Sequence, residues 1–302
     1  RAPQADRSFL EAVARLTGGR ALVIGDVMLD ECVRGAAERL SPDAPVPVMC
    51  VDLSDDGTQR AAGGAGNVAV CLRGLDVSVD IVAIIGAEAT GEHLSHELEA
   101  AGVGIDALVY DHTRPTTVKR SLVGLAQHRH PQKMFRLDIE SKAPVSDEIE
   151  ARLREAFDAK LADADVVCIE DYDKGVCSDA LCQYIITRCK EASIPVLVDP
   201  ASLDSYERYR GATAMTPNRT EAERAMHATG RLGRDLEHAR SLAHAMHEEY
   251  GVAHVVLTLD RDGAIIVDEH SATHLPTEAR EVYDVTGAGD MVLAGLAAGI
   301  AH

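Results

Sequence analysis

The sequence has no tryptophan, and aromatic residues make up only 3% of its 302 residues. Leu, Val, Ile, Ala and Met must therefore fill the core, and the apolar fraction of 46% is ordinary for a globular chain. Basic residues are few, since 30 Lys and Arg stand against 49 Asp and Glu and the net charge is −19. This balance argues against non-specific binding to nucleic acid and against docking on anionic membranes.

Long apolar segments and paired cysteines are also lacking. The longest apolar run, residues 292–301, is too short to cross a bilayer, and the first residues contain no apolar signal segment. None of the seven cysteines stands in a C-x-x-C pair, and an odd number of cysteines without a signal segment indicates reduced thiols. We therefore expect a cytoplasmic protein that binds neither membrane nor nucleic acid.

Short apolar segments alternate with amphipathic ones along most of the chain. The apolar segments predict strands at 21–25, 79–85, 166–170, 195–199 and 254–259. The amphipathic segments predict helices at 9–16, 91–101, 178–192 and 234–250. This alternation predicts an α/β fold in which a parallel sheet is covered by helices on both faces.

Two segments interrupt the alternation. Residues 31–51 contain three prolines and read as extended chain, and residues 113–138 carry alternating apolar side chains. We predict that both form strands outside the main sheet, as a small β lid. No internal repeat or long linker divides the chain, so we expect a single domain over residues 1–302.

The strongest local signal is the segment DVTGAGD at 284–290, which precedes an apolar helix. Small residues at a helix start leave backbone N–H groups uncovered, and with the helix dipole they form an anion site. Asp290 lies in the first turn, where its carboxylate can take a proton from a hydroxyl while the amides stabilise a transferring phosphoryl group. By spacing alone, the segment also fits an ordinary glycine-rich helix start with an acid placed for the dipole.

A second glycine segment, GGAGNVA at 63–69, satisfies the dinucleotide pattern G-x-G-x-x-A. A dinucleotide site needs a strand directly before the glycines, and residues 58–62 do not have the pattern of a strand. The first predicted strand is followed by the segment with Asp26 and Asp30, which cannot form a glycine-rich turn. We therefore interpret the segment as a loop whose bare backbone lets a polyhydroxyl ligand come close, with Asn67 as a hydrogen-bonding residue at a helix start. A tight packing turn and a dinucleotide-dependent enzyme are the alternatives. No P-loop motif is present.

Together the two glycine segments resemble the signatures of the ribokinase-like (PfkB) carbohydrate kinase family, in order and in spacing. The resemblance extends from about residue 20 to the end of the chain. It implies a ribokinase-like three-layer α/β/α sheet with a small β lid, and transfer of a phosphoryl group from ATP, with Mg²⁺ and with K⁺ as a further cation, to a sugar hydroxyl.

Further segments are similar to one branch of that family, whose members phosphorylate the anomeric hydroxyl of D-glycero-D-manno-heptose 7-phosphate. These segments are GDVMLD at 25–30, SPDAPVPV at 41–48, RLD at 136–138, DYDKG at 171–175 and TPN-x-x-E at 216–221. The resemblance implies a 1,7-bisphosphate product that serves ADP-heptose and lipopolysaccharide core synthesis. At this length and without an H-x-G-H motif, we expect the stand-alone form of the kinase and not a fusion with an adenylyltransferase.

The resemblance also implies roles for individual residues. Asp290 would be the general base, and the anion hole would be formed by Gly287, Ala288 and Gly289. The sugar would be held or bordered by Asp26, Asp30, Gly63, Gly64, Asn67 and Asp171. The nucleotide side would comprise Asn218, Glu221, Thr258 and Gly263. Glu221 would act on Mg²⁺ through water, and Asp284 would bind the monovalent cation.

The phosphate of such a substrate needs positive charge in an acidic chain. Four basic residues are candidates, although each could equally be a solvated surface cation: Lys119, Arg120, Arg136 and Lys174. Free strand edges in the lid further predict a homodimer formed through it. Another sugar or nucleoside kinase of the same family, and a non-catalytic ligand-binding relative, are the competing functions.

Overall fold

The computed structural model describes residues 18–51, 57–125, 130–228, 235–277 and 287–302. The predicted helix at 9–16 and the predicted cation ligand Asp284 lie outside these ranges. Among the described residues, no helix is both long enough and apolar enough to span a membrane.

The described residues contain fourteen strands and seven α-helices. The strands are β1 (Arg20–Gly25), β2 (Val27–Leu40), β3 (Pro47–Val51), β4 (Thr58–Gly64), β5 (Ser78–Gly86), β6 (Leu108–Asp111), β7 (Val118–Leu125), β8 (Gln132–Ile139), β9 (Val166–Glu170), β10 (Val196–Asp199), β11 (Ala214–Met215), β12 (His254–Thr258), β13 (Ala264–Val267) and β14 (Ala272–Leu275). The helices are α1 (Ala65–Gly74), α2 (Ala89–Ala100), α3 (Asp147–Leu161), α4 (Asp179–Ala192), α5 (Arg219–Ala225), α6 (Leu236–Tyr250) and α7 (Ala288–Ala301).

Nine strands form the main sheet in the order β14-β13-β12-β11-β10-β9-β1-β5-β6. The seven from β12 to β6 are parallel, and β13 and β14 add an antiparallel edge. Successive side chains of β1 enter different cores: Leu22 packs with α3, α4 and α6, whereas Val23 packs with α1, α2 and α7. Because side chains alternate across a strand, each face of the sheet has its own helical layer. The predicted three-layer α/β/α fold is confirmed.

The second sheet has the order β3-β2-β7-β8, with β4 also paired to β2. The two segments expected to form a lid supply four of its strands, and β2 begins earlier than predicted, at Val27. The expectation that no strand precedes the glycines at 63–66 is wrong, because β4 pairs with β2 in antiparallel fashion along its whole length. Residues 58–64 lack the apolar alternation of a strand, and only the tertiary partner β2 selects that conformation. Since β4 is antiparallel and outside the main sheet, the segment still does not form the βαβ unit of a dinucleotide site.

The topology brings polar residues to one edge of the main sheet. The parallel strands β1, β9 and β10 end next to one another. Asp26 follows β1, whereas Glu170 and Asp199 are the last residues of β9 and β10. In open parallel sheets, the carboxyl ends of the strands form the ligand-binding edge. Helices α1 and α7 contact each other beside these strands, so both glycine-rich helix starts can reach this edge.

Candidate active site

The centre of this edge is Asp290, in the first turn of α7. Its carboxylate is 5% exposed and accepts two hydrogen bonds. Asn67 Nδ2 donates to Oδ2 at 2.6 Å, and Tyr172 Oη donates to Oδ1 at 3.1 Å. The glycine segment of α1 and the acid of α7, 223 positions apart in the sequence, therefore meet in one site. Tyr172 is a site residue that sequence reasoning did not identify, although it lies within the DYDKG segment.

Backbone amides lie open beside this carboxylate. Gly287 caps α7 with φ of 74°, and a side chain there would place Cβ 2.8 Å from Asn67 Nδ2. Ala288 and Gly289 are exposed, and the first N–H groups of a helix have no partner within the helix. The close approach of Asn67 thus requires glycine at 287. The backbone N–H groups in the first turn of α7 stay available to bind an anion.

The second sheet contributes a polar face to the site. Asp30 of β2, Lys119 of β7 and Asp138 of β8 are aligned across the three strands. A Cβ at Gly63 would lie 2.5 Å from Asp30 Oδ2, so the carboxylate of Asp30 rests on the bare backbone of the glycine loop. Lys119 Nζ lies 4.7 Å from the ring centroid of Tyr172, a cation–π contact that connects this face to Asp290. Burial raises the pKa of Asp30, and the charge of Lys119 partly opposes that shift.

Two more of the predicted cations lie near this face, each with an acidic partner. Arg136 donates to Asp138 through two hydrogen bonds of 2.7 and 2.6 Å, and this pairing holds the pKa of Asp138 low. Lys174 Nζ lies 2.8 Å from Glu140 Oε2. These acidic partners balance the positive charges of Arg136 and Lys174.

Arg120 lies elsewhere. Its Nε donates to Glu31 Oε2 at 2.6 Å, and Arg60 Nε donates to the other oxygen of Glu31 at 3.1 Å. Because neighbouring side chains in a strand point to opposite faces, Arg120 and Lys119 cannot both face Asp290. The structure therefore does not bring Arg120 together with the other three candidate cations.

The predicted sugar-contacting role of Asp171 also differs from its position. Asp171 Oδ2 accepts hydrogen bonds from Tyr209 Oη at 2.6 Å and from Arg208 Nη1 at 3.1 Å, and the residue is 4% exposed. Asp26 is equally buried and accepts backbone N–H groups from the loop 172–176. Burial, followed by the charge of Asp171, raises the pKa of Asp26 to about 6. Both acids organise the loop that presents Tyr172, and their described contacts are with the protein itself.

Two acids that the sequence did not single out border Asp290. One oxygen each of Glu170, Asp199 and Asp290 lie within 4.8 Å of one another. Asp199 Oδ1 accepts a hydrogen bond from Thr216 Oγ1 at 2.8 Å, and burial raises the pKa of Asp199 to about 7. Glu170 is 1% exposed, and burial raises its pKa as well. The signal that could have found them is their place at the carboxyl ends of β9 and β10.

The predicted nucleotide-side residues also lie near one another. Asn218 and Glu221 form a reciprocal capping box at the start of α5, with bonds of 3.0 and 2.9 Å. Thr258 bridges to Asn218, and the turn that follows needs Gly263, whose Cβ would lie 1.9 Å from Leu275 O. Glu221 raises the pKa of Asp199 through its charge, which places this group beside the acids of the sheet edge.

A comparison with protein families identifies the family of this chain. The family described as "pfkB family carbohydrate kinase" matches residues 21–302. The chain belongs to the pfkB family. It is thereby an ATP-dependent carbohydrate kinase, as the two glycine segments predict.

The chain is also similar to curated proteins of considerably greater length. It is 40% identical over 298 residues to "Bifunctional protein HldE" of Pelobacter propionicus. The aligned residues cover 98% of this chain and 58% of the relative. The protein of the same name from Helicobacter hepaticus is 39% identical over 275 residues, covering 91% of this chain and 54% of the relative. The chain thus spans little more than half the length of these relatives.

Solved structures of pfkB-type kinases share the fold. Phosphofructokinase-2 from Escherichia coli in complex with fructose-6-phosphate gives a TM-score of 0.74 at 18% identity, covering 94% of this chain and 87% of the other. Ribokinase of Arabidopsis thaliana complexed with ribose and ATP gives a TM-score of 0.65 at 21% identity, covering 94% and 86%. The expected ribokinase-like fold is confirmed by these likenesses.

Proposed function

We propose that this chain transfers the γ-phosphoryl group of ATP to the anomeric hydroxyl of D-glycero-D-manno-heptose 7-phosphate. The observation that carries the proposal is the meeting of Asp290, Asn67 and the open amides of α7 beside a polar face that contains Lys119 and Arg136. The carboxylate of Asp290 and the open amides suit phosphoryl transfer to a hydroxyl. The basic side chains of the polar face suit a substrate that already bears a phosphate. The similarity to proteins named HldE supports the heptose branch over other branches.

Asp290 is the general base in this reaction. It accepts the proton of the sugar hydroxyl as the hydroxyl oxygen bonds to the γ-phosphorus, and the bond from that phosphorus to the β-phosphate oxygen breaks to release ADP. Asn67 and Tyr172 each hold one oxygen of Asp290, which fixes the orientation of the carboxylate. The amides at the start of α7 stabilise the charge on the transferring group.

The residues on the nucleotide side fit a Mg²⁺–ATP complex. Glu221 and Asp199 supply carboxylates near the phosphates, and Glu170 has a buried carboxylate oxygen without a hydrogen-bond partner among the described residues. Oxygen donors of this kind are the ligands that Mg²⁺ prefers. Mg²⁺ bound with ATP would neutralise phosphate charge, and Glu221 and Asp199 would hold it through water.

The second sheet binds the sugar phosphate and covers the site. Asp30 accepts hydrogen bonds from sugar hydroxyls. Lys119, Arg136 and Lys174 bind the 7-phosphate, for which Arg136 exchanges Asp138 and Lys174 exchanges Glu140. All of β8 is exposed, including Phe135 at 63% and Leu137 at 42%. We propose that β8 also contributes to a homodimer, which would cover these apolar side chains.

A coupled assay of ADP release tests the substrate. The purified chain is offered heptose 7-phosphate, fructose 6-phosphate and ribose at equal concentrations. We expect turnover to be fastest with heptose 7-phosphate and slowest with ribose, which lacks the phosphate. Faster turnover with fructose 6-phosphate or ribose would overturn the proposed substrate and leave the family assignment intact.

A further inference from the structure

A short loop between β9 and α4 supplies two side chains to the candidate active site. Tyr172 Oη donates to Asp290 Oδ1 at 3.1 Å. Lys174 Nζ lies 2.8 Å from Glu140 Oε2, just beyond the end of β8. Side chains only two positions apart in the sequence therefore contact the base on one side and the second sheet on the other.

The charge of Lys174 belongs to the polar face of the second sheet. Hydrogen bonds from Arg136 lower the pKa of Asp138. The charges of Lys119 and Lys174 add to that shift. Lys174 thus acts on the same carboxylate as the cations of β7 and β8, and its side chain is only 13% exposed. A phosphate bound on this face would lie close to all three cations.

One buried carboxylate holds the backbone of both loop residues. Asp26 Oδ2 accepts the N–H group of Tyr172 at 2.8 Å and that of Lys174 at 3.0 Å. Its Oδ1 accepts the N–H group of Val176 at 3.4 Å. Asp26 is 1% exposed and follows β1, and its own N–H group donates to Glu170 O at 3.0 Å. The carboxylate is therefore anchored to the main sheet, and the loop is bound to it.

The conformation of the loop depends on these bonds. Asp173, between the two site residues, has φ of 56°, which few residues other than glycine adopt. Its N–H group donates to Asp171 Oδ1 at 2.7 Å, and Arg114 Nη1 donates to Lys174 O at 3.1 Å. A left-handed residue in a turn lets neighbouring N–H groups converge on one anion, which here is the carboxylate of Asp26. Removal of this carboxylate should therefore release the loop.

We propose that Asp26 is a positioning residue of the kinase reaction, which sets through one loop both the orientation of the base Asp290 and the place of the phosphate-binding cation Lys174. The inference rests on the proposed transfer to a sugar phosphate. Asp26 acts without contacting the substrate, because its carboxylate oxygens bind backbone N–H groups. It affects kcat through Tyr172 and KM through Lys174. A residue that only stabilised the fold would change neither parameter in the folded enzyme.

A second carboxylate of the structure offers a matched control. Asp268 accepts the N–H groups of His270 at 2.8 Å and of Ser271 at 2.7 Å, in the turn between β13 and β14. It organises a turn by the same chemistry as Asp26, but residues 268–271 form no part of the candidate site. D268A should therefore lower stability at most and leave kcat and KM close to the parent values.

Double-mutant cycles measured by ADP release test the proposal. The substrate is whichever of heptose 7-phosphate and fructose 6-phosphate the parent turns over faster. We expect D26A to lower kcat about tenfold and to raise KM for that substrate about tenfold, since each lost hydrogen bond to a charged acceptor typically contributes a factor of about ten or more. In the Y172F background the further loss of kcat should be less than about twofold. In the K174M background the further rise of KM should be equally small, because residues that act as a unit are not additive.

Folding of each variant is checked by circular dichroism. D26N keeps one accepting oxygen, so it should show smaller changes of the same kind, and it replaces D26A in the cycles if D26A does not fold. Parent-like kcat and KM in the folded Asp26 variant would overturn the proposal, as would an equal loss of kcat with and without the Tyr172 hydroxyl. The same kinetic changes in D268A would overturn it too. Faster turnover with fructose 6-phosphate would refute heptose 7-phosphate as the substrate and leave the cycles valid.

Discussion

Glu170 and Asp171 are neighbours in the sequence, yet they belong to two acid clusters with opposite properties. Asp171 is bound by Arg208 and Tyr209 and, with Asp26, holds the loop 172–176 in place. Glu170 lies with Asp199 and Asp290, where every described donor is neutral. Breaking a buried pair that the protein satisfies internally destabilises the fold, whereas buried acids without a cationic partner are candidates for a functional role. Substitutions in the two clusters should therefore separate activity from stability.

The largest effect is expected for D290N. The amide cannot accept the hydroxyl proton, and a positioned base contributes about 10²–10⁴ in rate. Turnover in the ADP-release assay should fall by that factor, while ATP binding and the unfolding midpoint change little. Turnover equal to that of the parent protein would contradict the assignment of Asp290 as the base.

In the satisfied cluster, D171N should act on stability. The change removes the charge that pairs with Arg208, and breaking one side of a buried pair costs about 3 kcal/mol. Urea unfolding should show this loss in the free energy of unfolding. The kcat of the folded fraction should fall far less than in D290N. An equally severe loss of kcat in folded D171N would show that the two clusters do not divide in this way.

Within the second sheet, K119M and R120M form a matched pair. Lys119 faces Tyr172, whereas Arg120 faces Glu31 on the other side of the sheet. A hydrogen bond to a charged group contributes about 1.5–3 kcal/mol, so K119M should raise KM for the sugar phosphate by about tenfold or more. R120M should leave that KM unchanged and lower stability slightly. The same KM increase in both variants would refute the separation of the two faces.

The smallest effect is expected for Y172F, which removes the hydroxyl that holds Asp290 Oδ1. A hydrogen bond to a charged group contributes about 1.5–3 kcal/mol, and this bond of 3.1 Å stands at the lower end, so kcat should fall about tenfold. KM for ATP should not change, because Tyr172 orients the base and does not touch the capping box at Asn218. If KM for ATP rises while kcat is retained, Tyr172 has another role.

Much of the fold was predictable because its signals are local. The apolar segments at 21–25 and 166–170 and the amphipathic segment at 178–192 match β1, β9 and α4 closely. Strand β4 was missed because residues 58–64 carry no strand pattern of their own. It forms through pairing with β2, which lies about thirty residues earlier, between Val33↔Thr58 and Val27↔Gly64.

The candidate site was predictable in part. The family resemblance placed Asp290 and Asn67 in one site, whereas Tyr172 and Glu170 belong to no general chemical motif. The opposite orientation of Lys119 and Arg120 follows from the alternation of side chains along β7, but the packing of the second sheet decides which of the two faces the site. The predicted cation ligand Asp284 lies outside the described residues and stays a prediction.

By itself, the sequence determined the available chemistry, which is glycines that leave backbone N–H groups uncovered and an acid in the first turn of the last helix. It also determined strands of the right length for a parallel sheet. These features depend on residues a few positions apart, so short-range geometry suffices to infer them. Only the tertiary structure decided which acids are paired and which are left open, because burial and charge pairing arise between residues far apart in the chain. That is why Glu170 and Asp171, adjacent and chemically alike, ended in different environments.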